Sequence, residues 1–244
     1  MQTNDYITIL REGLLQTCGT NDSEISEKLL AYMDAVLEKN KVMNLTAIND
    51  PKDFVIKHFI DSFSICRDDA FVNARTIIDV GTGAGFPGFP LAVAFPDKQF
   101  LLMDSLNKRI RFLNETAEQL GLKNVECVHA RAEELGRSKK YREKFDLCVS
   151  RAVAQLSTLS EYCIPFVKPG GYFAAYKTKN EETEPGENAI KKLGGKIERI
   201  ENFPELSGIL SFISLDHKLI YIKKTGNTPG EYPRKAGTPS KNPL

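Results

Sequence analysis

The chain has 244 residues, enough for one sizeable core and better suited to an α/β domain with a helical extension than to two independent domains. Its 33 Lys and Arg against 32 Asp and Glu give a net charge of +1, so the whole molecule carries no signature of a nucleic-acid partner. The charge is unevenly placed, however: residues 223–244 hold five cations and one Glu, a local +4 that leaves −3 for the rest. Five scattered cysteines with no C-x-x-C pair, and only three histidines, fit reduced thiols in a cytoplasmic protein and argue against structural zinc. No cationic leader or long apolar run points to export or to a membrane.

The first seventy residues read as helix. In "SEISEKLLAYMDAVLEKN" the residues Ile25, Leu29, Leu30, Met33, Val36 and Leu37 recur at three- and four-residue spacing behind a cap at Asp22 or Ser23. In "DPKDFVIKHFIDSFSI" Asp50 and Pro51 take the N-cap and first-turn roles, and Phe54, Ile56, Phe59, Ile60 and Phe63 form the apolar set. From Thr76 onward, "TIIDV", "QFLLMD", "VECVHA", "FDLCVS" and "GYFAAYK" alternate with helical stretches and predict five parallel strands of a doubly wound sheet. "KIERIENF" and "ISLDHKLIYIKK" follow without a helix between them and predict a terminal antiparallel pair. The expected sheet therefore has seven strands, unlike the six parallel strands of a dinucleotide-binding domain. The expected organisation is a helical extension over 1–70, an α/β domain over 71–224 and a basic, proline-rich strap over 225–244.

The glycine loop "IIDVGTGAGFPGFP" sits between the first strand and an apolar helix, where glycines let the backbone turn tightly and approach a ligand. Gly83, Gly85 and Gly88 match G-x-G-x-x-G, but that register begins three residues past the strand and puts Pro87 inside the phosphate turn. The better pattern is D-x-G-x-G-x-G over Asp79, Gly81, Gly83 and Gly85. A carboxylate at Asp79 repels a pyrophosphate and suits the ammonium of a methionyl group, so the loop fits S-adenosylmethionine better than NAD. Asp104 ends the second strand, about twenty residues on, where a carboxylate accepts hydrogen bonds from ribose hydroxyls. Ala132 and Glu133, after the third strand, stand where methyltransferases of this fold hold the adenine edge, and "KPGG" before the fifth strand resembles a turn common among them.

The fourth strand ends in "VSRAVAQL", without the Asn-Pro-Pro-Tyr or Asp-Pro-Pro-Tyr motif of amine methylation and without a Pro-Cys or Thr-Cys nucleophile. Cys148 lies within the strand, where an apolar role is expected. A site with no base or nucleophile implies an acceptor that needs neither, such as guanine N7. Catalysis is then alignment and desolvation, with roughly 7–11 kcal/mol available from proximity. Arg151 is placed to hold the acceptor, the cofactor end of the crevice or a phosphate, with a structural ion pair as the bland alternative.

"NLTAI", "KHFIDS", "IDVGTGAGFPGFPLA", "DSLNKRIRFL", "ARAEEL", "SRAVA", "KPGG" and "PRKAGTPSKNPL" together resemble the RsmG (GidB) family over nearly the whole chain. The resemblance implies a Rossmann-like class I methyltransferase that forms 7-methylguanosine at one position of 16S ribosomal RNA, on the naked RNA or the small subunit. It further implies cofactor contacts at Gly81, Phe86, Ala132, Glu133 and Arg151. Phe89 is bulkier than the position after the loop leads one to expect. His58, Asp61 and Ser62 are read as a polar cluster at the crevice rim rather than as a hydrolase triad, since positions 61 and 62 do not share a helix face. The candidate RNA contacts are Lys108, Arg109 and Arg111 at a helix start, and Arg234, Lys235 and Lys241 in the strap. The run "RSKKYREK" (137–144) is read as a solvated surface or a remote phosphate contact. The expected enzyme is monomeric and uses no metal. An NAD(P)-dependent oxidoreductase leaves Asp79 and the basic strap without a role, and an RNA-binding module with a vestigial pocket stays open on sequence alone.

Overall fold

The computed structural model describes residues 5–151 and 153–244. Helix α1 (Tyr6–Cys18), which no motif had singled out, starts at Asp5 and ends on Gly19 at φ 71°. Helix α2 (Ser23–Met43) is capped by Asp22, whose carboxylate accepts from Glu24 N at 2.8 Å. It buries Leu29, Tyr32, Met33 and Val36, with Ile25, Leu30 and Leu37 partly covered beside them. Helix α3 (Pro51–Phe54) opens under Asp50 as the sequence indicates, then runs into a π-helical turn over Val55–Ile60 and a 3₁₀ turn over Phe63–Ile65. The short α4 (Asp69–Val72) leads into the sheet.

The sheet is built from β1 (Thr76–Val80), β2 (Gln99–Asp104), β3 (Val125–His129), β4 (Phe145–Arg151), β5 (Val167–Thr178), β6 (Gly195–Asn202) and β7 (His217–Lys224), in the order β3-β2-β1-β4-β5-β7-β6. The first five strands are parallel, and β7 lies antiparallel between β5 and β6. Helices α5 (Gly88–Ala94), α6 (Asn107–Gln119), α7 (Ala132–Leu135), α8 (Leu156–Cys163) and α9 (Glu184–Lys192) make the crossovers, and α10 (Thr238–Lys241) closes the strap. Strand order reverses between β1 and β4, so a crevice opens beyond the carboxyl ends of those strands.

Two strand expectations change. "KPGG" does not precede β5 but lies inside it, where the pairing with β4 jumps from Phe145–Val167 to Leu147–Tyr172. "ISLD" does not extend β7, because Leu210 and Ile213 turn into the core instead of pairing.

Each face of the sheet carries an apolar core. One joins Leu10, Tyr32, Phe59, Phe89, Leu102 and Tyr176, so the N-terminal helices and the sheet share it; the other holds Ile78, Leu159, Phe166, Ile190 and Ile222. Each large side chain so buried contributes about 1.5–3 kcal/mol. Phe89 finds its room by stacking on Tyr32, with ring centroids 4.1 Å apart. Among the described residues no helix is long and apolar enough to cross a membrane.

Candidate active site

The loop after β1 is held from behind. Asp79 Oδ2 accepts from Thr82 Oγ1 at 2.7 Å and from Gly88 N at 2.8 Å, while Gly81 N and Thr82 N both donate to Met103 O at 2.9 Å. Gly81, Gly83 and Gly85 have φ of 73°, 62° and 107°, a region that side chains resist. Close approach adds to this at two of them. A Cβ on Gly81 would lie 2.6 Å from Val153 Cγ2, and one on Gly85 would collide with the Tyr32 hydroxyl and Phe89. Gly83, by contrast, faces open space. Tyr32 closes the arrangement by donating its hydroxyl to Ala84 O. Nothing local in the sequence marks Tyr32, because its partner lies 52 residues away.

Asp104, at the end of β2, accepts from Gly83 N at 3.0 Å and Leu106 N at 2.8 Å, and Arg109 reaches its Oδ2 at 3.2 Å. The strand-end carboxylate and the glycine loop are therefore one unit. Arg109 stands on that carboxylate, whereas Lys108 and Arg111 are exposed on α6.

Arg151, the last residue of β4, is the centre of the other half. It donates to Asp61 Oδ2 at 2.6 Å, to Lys57 O at 3.2 Å and to His58 Nδ1 at 3.2 Å, and its guanidinium lies 5.2 Å from the Phe86 ring centre. The π turn presents His58 and Asp61 together to this one group. His58 stacks on Phe86 at 4.3 Å and 11°, and its Nε2 is 2.8 Å from Thr46 Oγ1. Burial, then the Arg151 charge, push the His58 imidazolium down to about 3, so the ring is neutral, with Nδ1 accepting from Arg151 and Nε2–H donating to Thr46. Asp61 Oδ1 lies 2.5 Å from His217 Nδ1, off the line of a well-aligned hydrogen bond. Burial alone would raise the Asp61 carboxyl, but contact with His217 and the Arg151 charge outweigh it and hold the group below its ordinary range. Ser62 turns away and donates to His58 O, so it takes no part.

Glu133 is buried at the start of α7, and its carboxylate accepts from Gly237 N at 2.8 Å. That bond belongs to a longer attachment. The strap leaves β7 at the end of the sheet remote from the crevice, where Arg142 donates to Thr228 O and Tyr232 O at 2.7 Å each and to Pro229 O at 3.2 Å. Farther along, Arg234 meets Glu161 with Nε–Oε1 at 3.0 Å and Nη2–Oε2 at 2.6 Å, and Thr158 Oγ1 donates to Pro239 O at 3.1 Å. The run 137–144 is therefore a clamp for the strap, not merely a solvated surface. The Arg234 guanidinium faces a carboxylate within the fold, while Lys235 and Lys241 are exposed. The strap's charge suggested phosphate; the buried Glu161 that engages Arg234 is 73 residues away and left no local sign.

Asp79 Oδ1 is buried without a hydrogen-bond partner among the described residues, and burial lifts this carboxyl to about 6 despite its bonds to Thr82 and Gly88. An orphaned negative group behind a glycine turn, beside a strand-end carboxylate and an open Gly83, fits a ligand that is cationic at one end and carries a ribose. Among the described residues no three His, Cys, Asp or Glu gather as metal ligands.

A seven-stranded switch-point sheet with this loop defines a class I, Rossmann-like methyltransferase, whose cofactor is S-adenosylmethionine. The solved mitomycin 7-O-methyltransferase MmcR has this fold, superposing with a TM-score of 0.57 over 82% of this chain and 66% of that one at 12% identity. The chain belongs to the GidB family, rRNA small subunit methyltransferase G, whose profile matches residues 25–206. The ribosomal RNA small subunit methyltransferase G of Acetivibrio thermocellus is 52% identical over 224 residues, covering 91% of this chain and 90% of that protein. The enzyme of the same name from Alkaliphilus metalliredigens is 46% identical over 238 residues, covering 97% and 98%.

Proposed function

We propose that this chain, a cytoplasmic monomer, methylates N7 of a guanosine in the RNA of the small ribosomal subunit. The observation that carries the reading is the acid–base state of the crevice. His58 is neutral with its free lone pair already accepting from Arg151, and both Asp61 oxygens are engaged. Asp79 stands behind the loop with no exposed surface, and Cys148 is buried with its thiol pushed up by burial. None of these groups is set to take a proton or to attack, so the acceptor must bring an exposed lone pair of its own, and ring N7 has one.

Gly81, Gly83, Gly85 and Phe86 hold the methionyl end, with Asp79 supplying negative charge behind them. Asp104 takes the ribose, and the Ala132–Glu133 turn takes the adenine. S-adenosylmethionine supplies a methyl on a sulfonium that departs as a neutral thioether. Arg151 is fixed at one end by Asp61 and braced against Phe86, so it orients reactants without spending ordering entropy at the moment of transfer. Lys108, Arg111, Lys235 and Lys241 are the exposed cations that meet phosphate, and Arg109 and Arg234 serve the fold first.

The test is transfer of labelled methyl to small-subunit RNA or particles lacking the modification, with the product mapped by mass spectrometry. A single 7-methylguanosine supports the reading. Label on an exocyclic amine, or NAD binding in place of S-adenosylmethionine, overturns it.

A further inference from the structure

A second cavity, of about 380 Å³, opens beside the crevice between Asp61, Arg151, Val153, Tyr176, Lys177, Glu181 and His217. It adjoins the cofactor loop directly, since Val153, an exposed apolar residue, is the side chain that a Cβ on Gly81 would strike. A group seated in it therefore sits next to the methionyl end. Asp61 and Arg151 form one wall, where Arg151 is tied to Asp61 Oδ2, Lys57 O and His58 Nδ1. Lys177 and Glu181 line the same cavity and have capacity to spare.

Lys177 is buried at the end of β5. Its ammonium donates to Ala154 O and, at 2.7 Å, to Glu181 Oε1. One ammonium proton and the second carboxylate oxygen of Glu181 are left without a partner among the described residues. A cation and a carboxylate thus stand side by side on the cavity wall, an N–H donor next to an acceptor. Guanine offers the complement along one edge, with O6 accepting and the adjacent N1–H and N2–H donating. Adenine presents the reverse order, a donor at N6 and an acceptor at N1. N7 adjoins O6 on the side away from N1, so a guanine whose O6 meets Lys177 and whose N1–H meets Glu181 turns N7 away from Glu181. As N7 is alkylated the ring becomes cationic, and a carboxylate on N1–H and N2–H is then held more strongly, which favours the product-like charge over the neutral base.

We infer that this cavity is the acceptor-base subsite, in which the Lys177–Glu181 pair selects guanine over adenine by reading its O6/N1–H edge. The inference rests on the guanine reading above. Lys177 positions Glu181 and donates to O6; Glu181 accepts from N1–H and N2–H. Ala154 O fixes Lys177 in place, so the pair is formed before the base arrives.

Binding of guanosine monophosphate and adenosine monophosphate to the full chain, loaded with S-adenosylhomocysteine, separates this subsite from the activity. Chemical-shift changes at Tyr176, Thr178 and Val153 amides report on occupancy. The wild-type chain is expected to prefer the guanine nucleotide at least about tenfold, as charge-assisted hydrogen bonds on a buried edge imply, and Glu181→Gln is expected to abolish that preference. Equal affinity for the two nucleotides, or an unchanged preference in Glu181→Gln, overturns the assignment. Methyl transfer to small-subunit RNA is scored separately. A guanine preference without 7-methylguanosine leaves the subsite standing and removes the reaction; 7-methylguanosine without the preference does the opposite.

Discussion

Replacing Arg234 by Ala leaves the Glu161 carboxylate, 0% exposed, with only the Arg234 backbone N–H among the contacts that residue supplies. Three side-chain contacts disappear, at 3.0, 3.1 and 2.6 Å. Removing one partner of a buried ion pair costs about 3–5 kcal/mol, because the remaining charge has neither water nor counterion. The strap provides an escape: if it undocks, water reaches Glu161, and the loss is capped at the strap's own docking free energy. For a chain of this size about 3–5 kcal/mol corresponds to a melting temperature lower by about 6–20 °C. Calorimetry reads the global term, and limited tryptic cleavage at Lys235 and Lys241 reads undocking. Arg234→Lys separates structure from phosphate binding, since lysine keeps the charge but cannot fork onto both Glu161 oxygens. It should retain at least half of the destabilisation. The double change Arg234→Met with Glu161→Leu, which removes both charges, should recover most of it. An Arg234→Ala chain that melts within about 2 °C of wild type, with unchanged strap cleavage, refutes the reasoning.

Deleting residues 233–244 removes the Gly237 N–H from Glu133, so S-adenosylmethionine affinity should fall about tenfold along with RNA methylation; calorimetric titration giving wild-type affinity would detach the strap from the cofactor site. Gly81→Ala places a Cβ 2.6 Å from Val153 Cγ2 at φ 73°. It should cost about 1–3 kcal/mol and most cofactor binding, read by denaturation and by titration. Arg151→Ala should lower methyl transfer more than tenfold while the fold persists, and Lys should not restore it, since one ammonium does not span Asp61, His58 and Lys57 O; full activity in either variant removes Arg151 from the site. Asp79 titrates at about 6 in the folded chain against an ordinary 3.8, so the folded state holds this proton more tightly. Its contribution to stability is full below about pH 4 and is lost as the pH rises through 6, about 3 kcal/mol in all. Denaturant midpoints at pH 4.5 and 7.5 should therefore differ less in Asp79→Asn than in wild type, and parallel profiles would remove Asp79 from that account.

What the sequence displays follows local period. Apolar runs located all seven strands, and the alternation of Gly81, Gly83 and Gly85 after Asp79 marked the turn, because strand pleat and loop curvature repeat within a few residues. What it hides is polar pairing across the fold. Asp61 with His217, Glu161 with Arg234, Tyr32 with Ala84 and Arg142 with the strap have no shared period and no short spacing. The boundary errors have the same origin. Ile213 has the apolar character of a strand residue yet is drawn into the core, and the glycines of "KPGG" read as a turn where the sheet accommodates an irregularity instead.

The π-helical turn over Val55–Ile60 has a consequence for how this region can change. An ordinary helix advances about 100° per residue and the wide turn spreads an extra residue over about the same rotation, so loss of one residue there would close it to an ordinary turn and leave the flanking helix faces nearly in place. The spacing between His58 and Asp61, which both meet Arg151, would change instead. Substitutions that keep the apolar set are tolerable, but a change of length is not. Among descendants of this sequence the segment should drift in composition and stay fixed in count, a kind of conservation that concerns spacing and not identity.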